Sequence, residues 1–262
     1  MQKESMPIGV FDSGVGGVSV LKEMLTLMPN ENYIYLADSK NAPYGTKSHD
    51  EILLHATNCA DYLVSKGVKA LVVACNTATS VCIAPLREKY PDMPIVGIEP
   101  AIKPALECKE NTTIAVMATP LTLKEEKFSN LVEAYDASSR IIPLPCPGLM
   151  EIVEKGLLGK TEAYEYLDKL FKSIPEVDAV VLGCTHYPFL RATIERIIGE
   201  REVEVLDSGR AVCRRVEQLL DQNNLRAADD AVPEYRFITL ADDDYLKRVE
   251  CRAYGCSSKE KA

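Results

Sequence analysis

Ala70-Leu-Val-Val-Ala-Cys75-Asn-Thr-Ala-Thr-Ser80 and Ala179-Val-Val-Leu-Gly-Cys184-Thr-His-Tyr-Pro188 echo each other. Each is a short Val- and Leu-rich run that stops at a cysteine followed by small polar residues. Neither run alternates apolar with polar, so each reads as a strand buried on both faces, as in a parallel sheet. A helix is predicted after each cysteine, over Thr77 to Arg87 and over Pro188 to Ile198. Each cysteine then stands at the carboxyl end of a strand and near a helix start. Open α/β sheets bind ligands at that place, and the amide dipoles there lower a thiol pKa.

The rest of the chain extends the pattern in both directions. Ile8 to Phe11 reads as a first strand. It runs into Asp12-Ser-Gly-Val-Gly-Gly17 and a helix from Val18 to about Met28. A strand, a glycine-rich turn and a helix make an anion cradle. The spacing is not that of a dinucleotide fingerprint and no P-loop lysine follows. A tight turn needing glycine dihedrals accounts for the glycines equally well; the acid at the strand end, Asp12, exceeds what a turn requires. Asn32 to Ala37 is a second strand, ending in Asp38-Ser-Lys-Asn-Ala-Pro-Tyr-Gly45. There Pro43 and Gly45 punctuate a turn, and Tyr44 either belongs to that turn or closes a pocket. Ser48 or Asp50 caps a helix reaching Lys66. His49 and His55 on this helix read as surface or packing residues. Pro94 to Gly97 is a further strand.

From Thr113 the pattern restarts: Thr113 to Ala118 as a strand, a helix to about Tyr135, a strand at Arg140 to Leu144, helices over Leu149 to Lys155 and Thr161 to Lys172, then the Cys184 strand and one from Val203 to Asp207. Ser13 and Thr119, Cys75 and Cys184, and Glu99 and Asp207 are separated by nearly equal stretches of chain, which points to an internal duplication. The expected fold is α/β, with two similar domains of mainly parallel strands flanked by helices, related by a pseudo-twofold, and an active site in the cleft between them. Residues 1–98 with 208–262 form the first domain and 99–207 the second. A helix from Ser208, a strand from Glu234 to Leu240 and a last helix from Asp242 to Ala253 return to the first domain and complete its sheet.

Composition excludes several classes. The 262 residues carry a net charge of -9, which supplies no basic patch for nucleic acid or an anionic membrane surface. No apolar run approaches the roughly 18 residues that span a bilayer. Met1-Gln-Lys-Glu-Ser-Met-Pro has no signal-peptide apolar core, and with no long extension before Ile8 an added regulatory segment is not expected there. Nine cysteines lack paired spacing and read as reduced thiols in a cytoplasm. Cys251 and Cys256 read as an inert pair in the tail, and Lys259 to Ala262 as a frayed end. The three histidines are not spaced with cysteines as metal ligands, so no metal site is expected.

Two thiols in register, without metal or disulfide, suit inversion at a carbon bearing an acidic hydrogen. One group removes the proton from one face and the other returns a proton to the opposite face. A thiol pKa near 8.5 lies close enough to neutrality for both tasks. A cysteine hydrolase with one nucleophilic thiol and His186 as base remains a rival reading, as does a small-anion-binding protein without turnover.

Asp12-Ser-Gly-Val-Gly-Gly17, Ala37-Asp-Ser-Lys-Asn-Ala-Pro-Tyr-Gly45, Ala74-Cys-Asn-Thr-Ala-Thr79 and Gly183-Cys-Thr-His-Tyr-Pro188 resemble the motifs of the glutamate racemases of bacterial cell-wall synthesis, over nearly the whole chain. Aspartate racemases and other amino-acid racemases of the superfamily fit less well. The resemblance implies a cofactor-independent racemase that supplies D-glutamate for peptidoglycan, commonly as a homodimer. It implies that Cys75 acts on the D-glutamate α-hydrogen, assisted by Asp12, and Cys184 on that of L-glutamate, assisted by His186. It further implies substrate contacts at Asp12, Ser13, Pro43, Tyr44, Gly45, Asn76, Thr77, Thr119, Thr185 and His186, with Asp38 and Glu154 supporting the site. Lys40 stands where many members carry Arg, and Pro147 to Glu154 departs from the usual pattern.

Overall fold

Residues 3–108, 112–134 and 139–254 are described by the structure, a computed structural model; Tyr135, Cys256 and Lys259 to Ala262 lie outside them. The chain divides into two compact units, Met1–Ile98 with Gly209–Ala262, and Glu99–Ser208.

In the first unit the apolar runs become strands β1 (Ile8–Asp12), β2 (Tyr33–Ala37), β3 (Ala70–Val73) and β4 (Ile95–Gly97), with β9 (Tyr235–Thr239) arriving from the far end of the chain. Every residue of β1, β2 and β3 is buried. That is why their sequences show no alternation: helices cover both faces. The order is β4-β3-β1-β2-β9, all parallel. Helices α1 (Val18–Leu27), α2 (His49–Ser65) and α3 (Asn76–Lys89) cross over between successive strands. Ser48 opens α2 with a capping box: its hydroxyl accepts from the Glu51 amide while the Glu51 carboxylate accepts from the Ser48 amide. Gly67 at φ +76 ends it, a dihedral that few side chains tolerate. Helices α10 (Gly209–Gln222) and α11 (Asp243–Tyr254) return to pack on α1, and β9 pairs with β2, so the carboxyl-terminal segment does complete this sheet.

A buried ion pair fastens the strand starts of this unit. Lys69 Nζ lies 2.5 Å from Glu31 Oε2, with both side chains almost fully enclosed. The ammonium also donates to the Glu4 carbonyl, and the Glu31 carboxylate accepts from the Ala227 amide. One pair thereby ties four distant segments.

In the second unit α4 (Ile102–Cys108) precedes β5 (Thr113–Ala118), α5 (Pro120–Lys124), α6 (Glu126–Glu133), β6 (Arg140–Pro145), α7 (Leu149–Glu154), α8 (Thr161–Lys172), β7 (Ala179–Leu182), α9 (Arg191–Ile198) and β8 (Glu204–Leu206). The order β6-β5-β7-β8 is again parallel throughout. Read from its other edge, β8-β7-β5-β6 repeats β4-β3-β1-β2 of the first unit strand for strand. Alternate residues of two central strands feed separate cores. Ala115, Met117, Val180 and Leu182 join one, while Ile114, Val116, Ala179 and Val181 join the other.

Three local expectations change. The single helix after Thr119 is broken at Glu125, whose extended dihedrals (φ -70, ψ 139) end α5 and start α6; neither proline nor glycine marks the break. The helix after Cys184 begins as a 3-10 turn over Tyr187–Leu190, with Pro188 in its first turn, before α9 takes over. Finally, the glycines after Asp12 are not there for left-handed dihedrals. Positive φ occurs at Gly67, Gly148, Gly156 and Gly199 instead. Gly17 is helical, and what it needs is space: a Cβ there would stand 2.6 Å from the Asp12 Cβ and 2.9 Å from the Tyr35 hydroxyl.

Candidate active site

The carboxyl ends of β3, β1 and β2 are neighbours, because those strands are neighbours in the sheet. Three of the expected residues follow from that alone. Asp12 is the last residue of β1, Asp38 follows β2, and Cys75 follows β3. All three are buried.

Cys75 is the N-cap of α3, in extended conformation, and its Sγ accepts from the Ala78 amide at 3.4 Å. Sulfur replaces the usual Ser or Asp oxygen of an N-cap. Its thiolate form therefore gains both a hydrogen bond and the favourable end of the helix dipole. Ser13 Oγ lies 3.6 Å from the same sulfur. Asp12 Oδ1 accepts from the Gly14 amide at 2.7 Å, folding the turn back over its own carboxylate. At the end of β2, Asp38 accepts from the Tyr44 hydroxyl at 2.6 Å and from the Asn41 amide at 2.8 Å. Burial, with the hydrogen bond to Asp38 and the charge of that carboxylate behind it, pushes the Tyr44 phenol far above its ordinary range. It therefore acts as a hydrogen-bond donor at any working pH. Pro43, preceded by a cis peptide bond, and Gly45 flank Tyr44 and are half-buried.

Asn76 and Thr77 open α3 and are both buried. Asn76 is exceptional. Its side-chain nitrogen and its side-chain oxygen are both enclosed without a hydrogen-bond partner among the described residues. An amide buried in that state costs free energy, and it leaves Asn76 with a donor and an acceptor to offer a ligand or a water molecule.

The second unit assembles its own group. Cys184 follows β7 by two residues and is 7% exposed. Its Sγ lies 3.7 Å from His186 Nδ1, and His186 Nε2 lies 2.7 Å from Glu154 Oε1 at the end of α7. Sulfur, imidazole and carboxylate form one chain, with the ring held at both nitrogens. Thr185 and His186 are buried. Thr119 is the N-cap of α5, its hydroxyl accepting from the Thr122 amide at 3.2 Å. Cys146, at the end of β6, shares the Cys184 core. Burial and the neighbouring Cys184 charge push its thiol up to about 12, so it stays protonated. Among the described residues no group of three or more His, Cys, Asp or Glu is placed to hold a metal ion, and no helix is long and apolar enough to cross a membrane.

Residues 8–216 match the family model described as Asp/Glu/Hydantoin racemase. The chain belongs to that family. Glutamate racemase of Clostridium botulinum (strain Hall) is 47% identical to this family member over 245 residues, 93% of this chain and 95% of that protein. Among solved structures, glutamate racemase isoform RacE1 of Bacillus anthracis superposes with a TM-score of 0.87 at 29% identity, covering 96% of this chain and 95% of that one. Escherichia coli glutamate racemase, in complex with L-glutamate and the activator UDP-MurNAc-ala, gives 0.83 at 32% identity, with 95% of each chain covered.

Within this racemase-family chain, the expected site residues fall into two groups. Asp12, Ser13, Asp38, Pro43, Tyr44, Gly45, Cys75, Asn76 and Thr77 belong to the first unit; Thr119, Glu154, Cys184, Thr185 and His186 belong to the second. Asn41, which clamps Asp38, was missed. The only signal for it is its spacing of three from Asp38, within the 3-10 turn Ser39–Asn41. The orphaned amide of Asn76 leaves no trace in sequence at all.

Proposed function

We propose that the chain interconverts L- and D-glutamate by a cofactor-independent, two-thiol proton transfer. One observation carries the reading. Cys75 and Cys184 end corresponding strands of two sheets with the same strand order, and each sulfur has its own polar support. The likeness to glutamate racemases supports the choice of substrate.

Cys75 as thiolate takes the α-hydrogen of D-glutamate while Cys184 as thiol gives its proton to the opposite face of the carbon. For L-glutamate the roles exchange. After a turnover the protonation of the pair is reversed, and exchange with solvent resets it. Asp12 assists Cys75. His186, held by Glu154, assists Cys184 by stabilising its thiolate form. The substrate carboxylates take hydrogen bonds from the Ser13, Thr77, Thr119 and Thr185 hydroxyls and from amides at the strand ends, and Asn76 finds its partner there. Fixed donors of this kind stabilise the carbanion that forms as the proton leaves. Asp38 holds the Tyr44 phenol, and Pro43 and Gly45 shape that edge. D-Glutamate made this way feeds peptidoglycan synthesis in the cytoplasm, where Cys59, Cys75, Cys82, Cys146, Cys184, Cys213 and Cys251 remain free thiols, and the active species is a homodimer.

The test is to incubate each glutamate enantiomer separately in heavy water without added cofactor. Deuterium enters the α-carbon chiefly in the product enantiomer, and Cys75→Ala and Cys184→Ala each abolish conversion. Conversion by either variant at the wild-type rate refutes the two-thiol reaction. A trapped thioester with a dispensable second cysteine favours the hydrolase instead, and faster turnover of aspartate overturns the substrate assignment.

A further inference from the structure

Tyr35 belongs to none of the motifs discussed above, yet it reaches the same turn. It lies in the middle of β2 and is fully buried. A phenylalanine would fill that volume; the hydroxyl is an added polar group that burial penalises unless it is bonded. The hydroxyl donates to the Gly14 carbonyl at 2.7 Å. The Gly14 amide donates to Asp12 Oδ1, also at 2.7 Å. Gly14 is thus gripped on both sides, its N–H by Asp12 and its carbonyl by Tyr35. Ser13 lies between Asp12 and Gly14, inside the turn that the first of these bonds closes, and its hydroxyl is 3.6 Å from Cys75 Sγ. Gly17 completes the contact, since any Cβ there would press on both Asp12 and the Tyr35 hydroxyl. On the other side the Tyr35 ring is braced by Phe237 of β9, with centroids 6.3 Å apart.

We propose that Tyr35 is a positioning residue: its buried hydroxyl holds the Gly14 carbonyl and so sets the Asp12–Ser13 turn against Cys75. This rests on the reading that Cys75 moves the α-hydrogen of D-glutamate. The strand carries the phenol, the phenol fixes the turn, and the turn presents an acid and a hydroxyl to the sulfur. Removing one oxygen atom leaves the packing but frees the turn to shift.

The experiment compares wild type, Tyr35→Phe and the full chain with 4-aminophenylalanine at position 35, using both glutamate enantiomers with hydrogen or deuterium at the α-carbon. Tyr35→Phe lowers kcat/KM about tenfold, the order expected when a bond supporting a reacting group is lost. The primary isotope effect with α-deuterated D-glutamate rises while that with α-deuterated L-glutamate falls towards one, because only the Cys75 step has slowed. The amino variant, which keeps a donor in place, restores the wild-type isotope effects. A purely structural role moves stability but does not drive the two isotope effects apart. Wild-type conversion together with inactive Cys75→Ala upholds the parent reading. Against that background, isotope effects in Tyr35→Phe that stay as in wild type overturn the positioning role alone. No conversion by wild type overturns both. If Tyr35→Phe fails to fold, the full chain with 4-fluorophenylalanine at position 35, which fills the site without a donor, takes its place: the same divergence of the two isotope effects upholds the role, and wild-type isotope effects refute it.

Discussion

Replacing Glu154 by Gln probes the second half of the proposed reaction. The carboxylate sits 2.7 Å from His186 Nε2, with side-chain exposures of 18% and 2%. Glutamine keeps the length and one hydrogen bond but removes the charge that stabilises an imidazolium facing the Cys184 thiolate. Two charges about 4 Å apart attract by ~4 kcal/mol at an effective dielectric of 20. Bonds to charged groups are measured at about 1.5–3 kcal/mol net. We therefore expect the Cys184 step to slow by ~2 kcal/mol, roughly thirtyfold. Steady-state rates alone cannot say which step slowed. Enantiomers have equal free energies in water, so kcat/KM must fall equally in both directions. Isotope effects separate the steps. With α-deuterated L-glutamate the primary effect rises to its full value. With α-deuterated D-glutamate it falls towards one, because proton removal by Cys75 becomes a fast pre-equilibrium. D-Glutamate recovered midway then carries solvent deuterium. A rise on the D side, or a thirtyfold loss with both effects unchanged, refutes the assignment of Glu154 and His186 to Cys184. Tyr35→Phe shifts the same observables in the opposite sense, so each variant is the other's control.

Asn76→Ala removes an amide that is buried without a partner among the described residues. It should stabilise the substrate-free protein by about 1 kcal/mol and raise KM for glutamate, read by thermal melts and steady-state kinetics. Lys69→Met leaves the Glu31 carboxylate enclosed and uncompensated, which should cost about 3–5 kcal/mol in urea unfolding; Lys69→Met with Glu31→Leu recovers most of it. Cys146 binds its proton more tightly folded than unfolded, its thiol being raised to about 12 by burial and the Cys184 charge. Its contribution is complete below the unfolded pKa near 9 and is lost as pH rises towards 12. The stability advantage of wild type over Cys146→Ser should therefore shrink by ~1.4 kcal/mol per pH unit across that window, and a constant gap refutes the raised thiol.

The reading of the fold succeeded where burial is uniform. β1, β3 and β7 announce themselves because a strand covered on both faces must be apolar at every position. The position of each cysteine follows directly, since a strand end is a local feature. The helix ends marked by chemistry were also legible, as with Ser48 and Gly67. The break at Glu125 was not, because nothing in its own residue type demands extended dihedrals.

The sequence by itself determined two echoing α/β halves, the two strand-end thiols and the polar turns beside them, because each is encoded by neighbours along the chain. Only the tertiary structure decided the partnerships. Glu154 meets His186 across 32 residues, and Tyr35 meets Gly14 across 21. Lys69 finds Glu31 inside the protein, and β9 pairs with β2 from the opposite end of the chain. Such contacts have no period and no fixed spacing. They exist because packing brings together groups whose burial would otherwise cost too much, and that cost depends on where every other segment lies.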